Sequence, residues 1–193
     1  DYIEGITQDI TELVDAQKRI RSLAYYDNLT GLANRHLFRE LLQHELQRAL
    51  RQDKQCALLF IDLDRFKRIN DTLGQPAGDL VLQTIGNRIN SCIRSCDVAA
   101  LHYEDNQKSE QVARLGSDEF TVILTDIEQP EDAAQIVRRI LEAIAQPIDG
   151  LGQQVLVSAS FGIALGPQDG SDVETLIKNA DLAMYAAKDK GRN

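Results

Sequence analysis

The segment Cys56 to Leu63, CALLFIDL, constrains this chain more than any other. So short and nearly unbroken an apolar run has no polar face to offer water, and it predicts a central strand covered on both sides. Its end carries charge, because Asp62 and Asp64 bracket Leu63 where the strand should emerge. Helices must cover such a strand, and the flanking sequence supplies them. One amphipathic helix is expected from about Asn34 to Gln52, with Leu37, Phe38, Leu41, Leu42, Leu46 and Leu50 on its buried side, and another from about Gly78 to Cys96. Val112 to Leu115 and Phe120 to Thr125 are β-like runs separated by Gly116, Ser117, Asp118 and Glu119. That is the pattern of a tight hairpin whose turn presents two carboxylates. A helix from about Pro130 to Gln146, a strand from Val155 to Leu165 and a helix from Asp172 to Lys190, ending at Gly191, complete the order. Strands and helices that alternate, with one pair joined by a hairpin, predict an α/β (α+β) sandwich of the ferredoxin-like kind: a mixed central sheet flanked by helices.

With 193 residues and 43% hydrophobic content, the chain fits one compact domain of roughly 150 to 170 residues plus an appendage. The longest wholly apolar run, Cys56 to Ile61, is far short of the ~20 residues that span a bilayer, and no charged-then-apolar secretory signal opens the chain. No membrane contact is expected. The 21 basic and 30 acidic residues give a formal charge of −9, which argues against a nucleic-acid binder that works by phosphate neutralisation. Any anionic ligand must be met locally. Cys56, Cys92 and Cys96 form an odd set without zinc-type spacing, as suits reduced thiols in a cytoplasm. Cys92 and Cys96 could share a helix face, but small buried side chains are the preferred reading.

At the N-terminus, Tyr2 to Thr11 reads as a strand running into a turn and a capped helix. From there Ile10, Leu13, Gln17, Ile20 and Ala24 form a seam of about two heptads, which either lies on the domain's own surface or pairs with a second copy. Between Val98 and Gln111 the polar sequence reads as an exposed insertion.

If the strand ending at Asp62 neighbours the hairpin strand, Asp62 and Asp118 converge. Two carboxylates with positions left open for phosphate oxygens suit a hard cation such as Mg²⁺, which would offset the charge of an anionic substrate. The bland alternative is a pair of solvated turn carboxylates. Just after Asp62 come Phe66, Lys67, Asn70 and Asp79, a cation for phosphate and an amide plus a carboxylate suited to a purine edge. Lys188 and Arg192 lie four apart and could reach a triphosphate.

The stretches DNLTGLANR (Asp27 to Arg35), FIDLDRFKRINDTLGQPAGD (Phe60 to Asp79), RLGSDEF (Arg114 to Phe120), SFGIA (Ser160 to Ala164) and NADLAMYAAKDKGRN (Asn179 to Asn193) resemble, in order and spacing, the GGDEF family of diguanylate cyclases. The resemblance covers about Tyr25 to Asn193. It implies a fold similar to the nucleotidyl cyclase palm, and an enzyme that joins two GTP molecules into cyclic di-GMP with release of pyrophosphate. It also implies Mg²⁺ or Mn²⁺ as cofactor and a second protomer facing the first. By motif position Asp62, the Leu63 carbonyl and Asp118 resemble the metal ligands, and Asn70 and Asp79 the guanine-reading pair. Backbone amides around Arg65 and Phe66, with Lys188 and Arg192, resemble the phosphate grip, and Gly116 and Ser117 resemble further substrate-binding residues. Lys67 resembles the cation that stabilises charge on the reacting phosphorus, and Asp118 or Glu119 the group that helps deprotonate the ribose hydroxyl.

This sequence departs from the family pattern in three places. Ser117 stands where the signature has its second glycine, and a φ above zero there would cost on the order of 1 kcal/mol. Gln75 stands where histidine is frequent. The product-inhibition motif RxxD appears as Arg94-Ser95-Cys96-Asp97, with Arg139 as its partner arginine, but about a dozen extra residues part it from the signature. Residues 1–24 resemble the end of a PAS-like sensor and its signalling helix, with the GGDEF domain over residues 25–193, and the closing KDKGRN resembles a junction into an EAL phosphodiesterase domain. Besides the cyclase, two readings remain open: a GTP-binding regulator of an attached phosphodiesterase, and a cyclic di-GMP receptor acting through Arg94 and Asp97.

Overall fold

The apolar run becomes β1 (Gln55–Leu63), in which every residue except Gln55 and Asp62 is buried. β1 is central: β3 (Glu119–Ile127) pairs along one edge, β4 (Ala159–Gly166) along the other, and β2 (Val112–Arg114) lies outside β3. The computed structural model describes residues 11–96, 111–149 and 152–191. The expected sandwich forms, with one refinement. Every pairing between these strands is antiparallel, and the parallel component expected of a mixed sheet is a single bridge between Ala33 and Ala113.

Side chains of β1 alternate between two cores, as the two-residue period of a strand requires. Cys56, Leu58 and Phe60 pack with Phe38, Leu42, Leu46 and Ala49 of α2 (Arg35–Gln52) and with Leu176, Ala180 and Met184 of α6 (Val173–Asp189). Ala57, Leu59, Ile61 and Leu63 face the opposite layer. There they meet Val81, Leu82, Ile85 and Ile89 of α4 (Gln75–Cys96) and Val137, Ile140 and Ile144 of α5 (Pro130–Ile144). Burial pushes the Cys56 thiol up to about 11, so it behaves as a small apolar side chain.

The glycine of SFGIA has a steric purpose. A Cβ at Gly162 would stand 1.9 Å from the Ala180 carbonyl oxygen and 2.4 Å from the Met184 amide nitrogen, so α6 rests directly on the β4 backbone. We expect Gly162→Ala to cost about 3 kcal/mol or more in urea unfolding, because backbone cannot move aside as a flexible side chain can. A loss under 1 kcal/mol would show that the layers slide.

The N-terminal helix α1 spans Thr11–Tyr25. Of its expected seam Ile20 remains 68% exposed, and Leu23 beside it 59%, so this part of the helix does not lie down on the domain. The expected strand within residues 1–10 and the insertion at 98–110 lie outside the described residues.

Candidate functional site

The end of β1 is where charge gathers. Asp62 stands in register with Glu119 of β3 and Ser160 of β4, and the Leu63 amide donates to the Asp118 carbonyl at 3.1 Å. The expected convergence of Asp62 and Asp118 is therefore what the sheet produces. The second aspartate of the bracket is spent elsewhere. Asp64 is 9% exposed, and its carboxylate accepts from Ser158 Oγ at 2.7 Å and Ser160 Oγ at 2.8 Å. Asp64 ties the turn to β4, and Asp62 is left facing the hairpin.

Lys188, at the last turn of α6, places Nζ 2.6 Å from Asp62 Oδ1. Burial pushes the Asp62 carboxyl above its ordinary value; Lys188 opposes that, while the Asp118 and Asp64 carboxylates add to it. Glu119 is likewise raised, first by burial and then by Asp62, Asp118 and Asp181, against the pull of Arg35, whose guanidinium lies 3.9 Å away. The carboxylates here are held closer together than they would choose in water.

Arg65 turns the chain out of β1 in the left-handed region (φ 56°, ψ 27°) and begins α3 (Phe66–Leu73) without capping it by its side chain. The first-turn amides of α3 thus have no side-chain oxygen from Arg65, and such amides favour anions. Phe66 is buried at 4% exposure, whereas Lys67 is exposed. One turn on, Asn70 Oδ1 is buried without a hydrogen-bond partner. Asp79, in the first turns of α4, accepts from Gln75 Nε2 at 3.0 Å, so the glutamine in the usual histidine position does hydrogen-bond.

At the hairpin turn, the feared backbone cost of Ser117 does not arise. Neither Gly116 nor Ser117 has a positive φ; the non-glycine residues that do are Asp53, Arg65 and Asp126 among the described residues. Ser117 Oγ instead donates to Asp118 Oδ1 at 2.5 Å. A clamp holds the turn from outside. Arg114 Nη1 donates to both Asp27 oxygens at 3.1 and 3.2 Å, and its Nη2 to the Ser117 carbonyl at 2.9 Å. Arg35 reaches the Leu115 carbonyl at 3.2 Å. Asp27 is itself fixed by the Thr30 amide and hydroxyl at 2.8 and 2.7 Å.

These supports, Asp27 and Arg35, belong to a quoted motif but received no role from the sequence. The signal that could have marked Asp27 is the Asp-x-x-Thr-Gly spacing of a side-chain-closed turn. Of the remaining expected residues, Arg139 donates through Nη2 to the Cys92 carbonyl and so joins α5 to α4. Asp97, Arg192 and the Arg94 side chain lie outside the described residues.

Fold and turn together describe an α+β domain with an acidic hairpin beside the end of its central strand. The chain belongs to the GGDEF domain family of diguanylate cyclases: the family model described as "Diguanylate cyclase, GGDEF domain" matches residues 24–193. It is 42% identical over 183 residues to the bifunctional diguanylate cyclase/cyclic di-GMP phosphodiesterase MucR of Pseudomonas aeruginosa, an alignment covering 95% of this chain and 25% of MucR. It is 39% identical over 184 residues to the cyclic di-GMP phosphodiesterase NbdA of the same organism, covering 95% of this chain and 22% of NbdA. The chain thus spans about a quarter of the length of these relatives. Its fold matches the structure of the TpbB GGDEF domain from Pseudomonas aeruginosa with a TM-score of 0.76 at 39% identity, over 87% of this chain and 91% of that one. No helix among the described residues is long and apolar enough to cross a membrane.

Proposed function

We propose that this domain condenses two GTP molecules into cyclic di-GMP as a pair of protomers, each holding one nucleotide. The observation that carries this reading is the convergence of Asp62 and Asp118 beside the uncapped start of α3, which sets paired negative charge next to amides suited to phosphate. Among the described residues no three His, Cys, Asp or Glu side chains are grouped to hold a metal. Two carboxylates and the Leu63 carbonyl fit a hard cation that keeps part of its shell for water and phosphate oxygens, and the raised Asp62 carboxyl marks a place where added positive charge is favourable. Asp62, Leu63 and Asp118 would hold Mg²⁺ or Mn²⁺, which when bound supplies Lewis-acid stabilisation to the phosphates and the attacking oxygen.

This chain's own residues would do the rest. Amides at Arg65 and Phe66 and the Gly116–Ser117 turn would bind the β- and γ-phosphates, with Lys188 and Arg192. Lys67 would offset charge developing on the α-phosphate, and Glu119 would accept the 3′-hydroxyl proton. Asn70 and Asp79 would read guanine, since a site with an unpartnered buried acceptor penalises a base that cannot fill it.

The test is incubation of the artificially dimerised chain with GTP and Mg²⁺, followed by chromatography. Cyclic di-GMP is the expected product. GTP binding without product would favour a second reading, a GTP-binding regulator of a phosphodiesterase elsewhere in a longer protein. Two observations favour it: the Ser117 hydroxyl engages one Asp118 oxygen, and a relative 39% identical is named a phosphodiesterase. Equal calorimetric affinities for GTP and ATP would remove the guanine assignment from both readings.

A further inference from the structure

Asn70 lies on α3, and nothing in its own helix explains why its amide holds one orientation. The explanation lies across the gap to α4. A Cβ built at Gly78 would stand 1.8 Å from Asn70 Oδ1, 2.9 Å from Asn70 Cγ and 3.1 Å from Phe66 Cζ. The Asn70 amide therefore fills the space that any other residue at position 78 would claim, and Phe66 closes that space from a second side. Gly78 is not there for backbone freedom, because its φ is not positive. Inside a helix glycine costs roughly 1 kcal/mol relative to alanine, and this one is buried within α4. What it provides is the missing side chain.

Resting on the proposed guanine reading, we infer that Gly78 is a positioning residue for nucleotide specificity, acting solely through Asn70. Its bare Cα lets the Asn70 amide lie in one place, with Oδ1 packed against Gly78 and without a partner within the chain. A methyl group at position 78 would turn the amide out of that place. The part of GTP affinity that depends on the base would be lost, and the part contributed by phosphate contacts would stay. Because Asp79 is the next residue, this step of α4 fixes both members of the base-reading pair, one directly and one by leaving room.

The experiment is a double-mutant cycle on the full chain, with Kd values for GTP and ATP from calorimetry in Mg²⁺ and thermal melts by circular dichroism. Gly78→Ala and Asn70→Ala should each weaken GTP about tenfold and leave ATP unchanged, because each removes one buried hydrogen bond to the base. The double variant should bind GTP no worse than either single one, since without the amide the methyl group presses only on Phe66 Cζ at 3.1 Å, which must give by a few tenths of an ångström. Additive losses, or equal weakening of GTP and ATP by Gly78→Ala, would overturn the inference. If Asn70→Ala weakens GTP and Gly78→Ala does not, the inference fails and the guanine reading stands. If Asn70→Ala leaves the GTP preference intact, both fall. Should Gly78→Ala fail to fold, recovery of a cooperative melt in the double variant supports the contact, and no recovery overturns it.

Discussion

Asp118→Ala is expected to lower the rate of cyclic di-GMP formation by on the order of a thousandfold, the scale seen when one preorganised charge-stabilising group is removed from a reacting centre. The melting temperature should hold or rise. Asp118 adds to the repulsion that lifts Asp62, so its removal relieves a strained set of carboxylates while taking away one of the two carboxylates of the proposed metal site. Initial rates measured by chromatography under enforced dimerisation check this, and a loss of less than tenfold would displace Asp118 from its role. Ser117→Gly provides the contrast. Ser117 carries no left-handed strain, so glycine brings no backbone relief, and the change amounts to one hydroxyl hydrogen bond at Asp118. The rate should shift by no more than about tenfold. A hundredfold gain would mean that the serine obstructs the nucleotide.

The second large effect belongs to the clamp. Asp27→Ala leaves the mostly buried Arg114 guanidinium without its carboxylate, and the loss should reach about 1.5–3 kcal/mol in urea unfolding. Burial alone would raise the Asp27 carboxyl, but the Thr30 hydrogen bonds and Arg114 outweigh it and hold it below its ordinary value of 3.8. A carboxyl so depressed contributes its full stability above that value and loses it as pH falls through the folded one. The gap between parent and Asp27→Ala should therefore be constant from neutral pH down to about 4 and close below it. A gap that persists at pH 2 would assign the effect to packing.

How much of this was legible in the sequence depends on whether local pattern or distant contact fixed each element. β1 was legible because burial on both faces removes polar alternation, and the hairpin because Gly, Ser, Asp and Glu interrupt two β-like runs. α3 is not among the expected helices although Phe66, Ile69 and Leu73 keep helical spacing and pack on the core, because only two turns of that period fit into its eight residues. The last strand was drawn too long: only Ala159–Gly166 pairs with β1, while Val155 bridges to Ile148. Asp62 and Asp64 look alike in sequence, and only Ser158 and Ser160, about a hundred residues away by chain, distinguish them. Lys188 was read toward phosphate from its spacing with Arg192, yet its ammonium rests on Asp62, a pairing that depends on where α6 crosses β1.

That pairing makes the site partly self-compensating. An aspartate half withdrawn from water burdens folding, and Lys188 offsets part of that burden within the chain while the Asp62 carboxyl stays above its ordinary value. Under the proposed function, occupancy of Asp62 would be a matter of exchange, in which an incoming cation would have to outbid the tethered ammonium of Lys188.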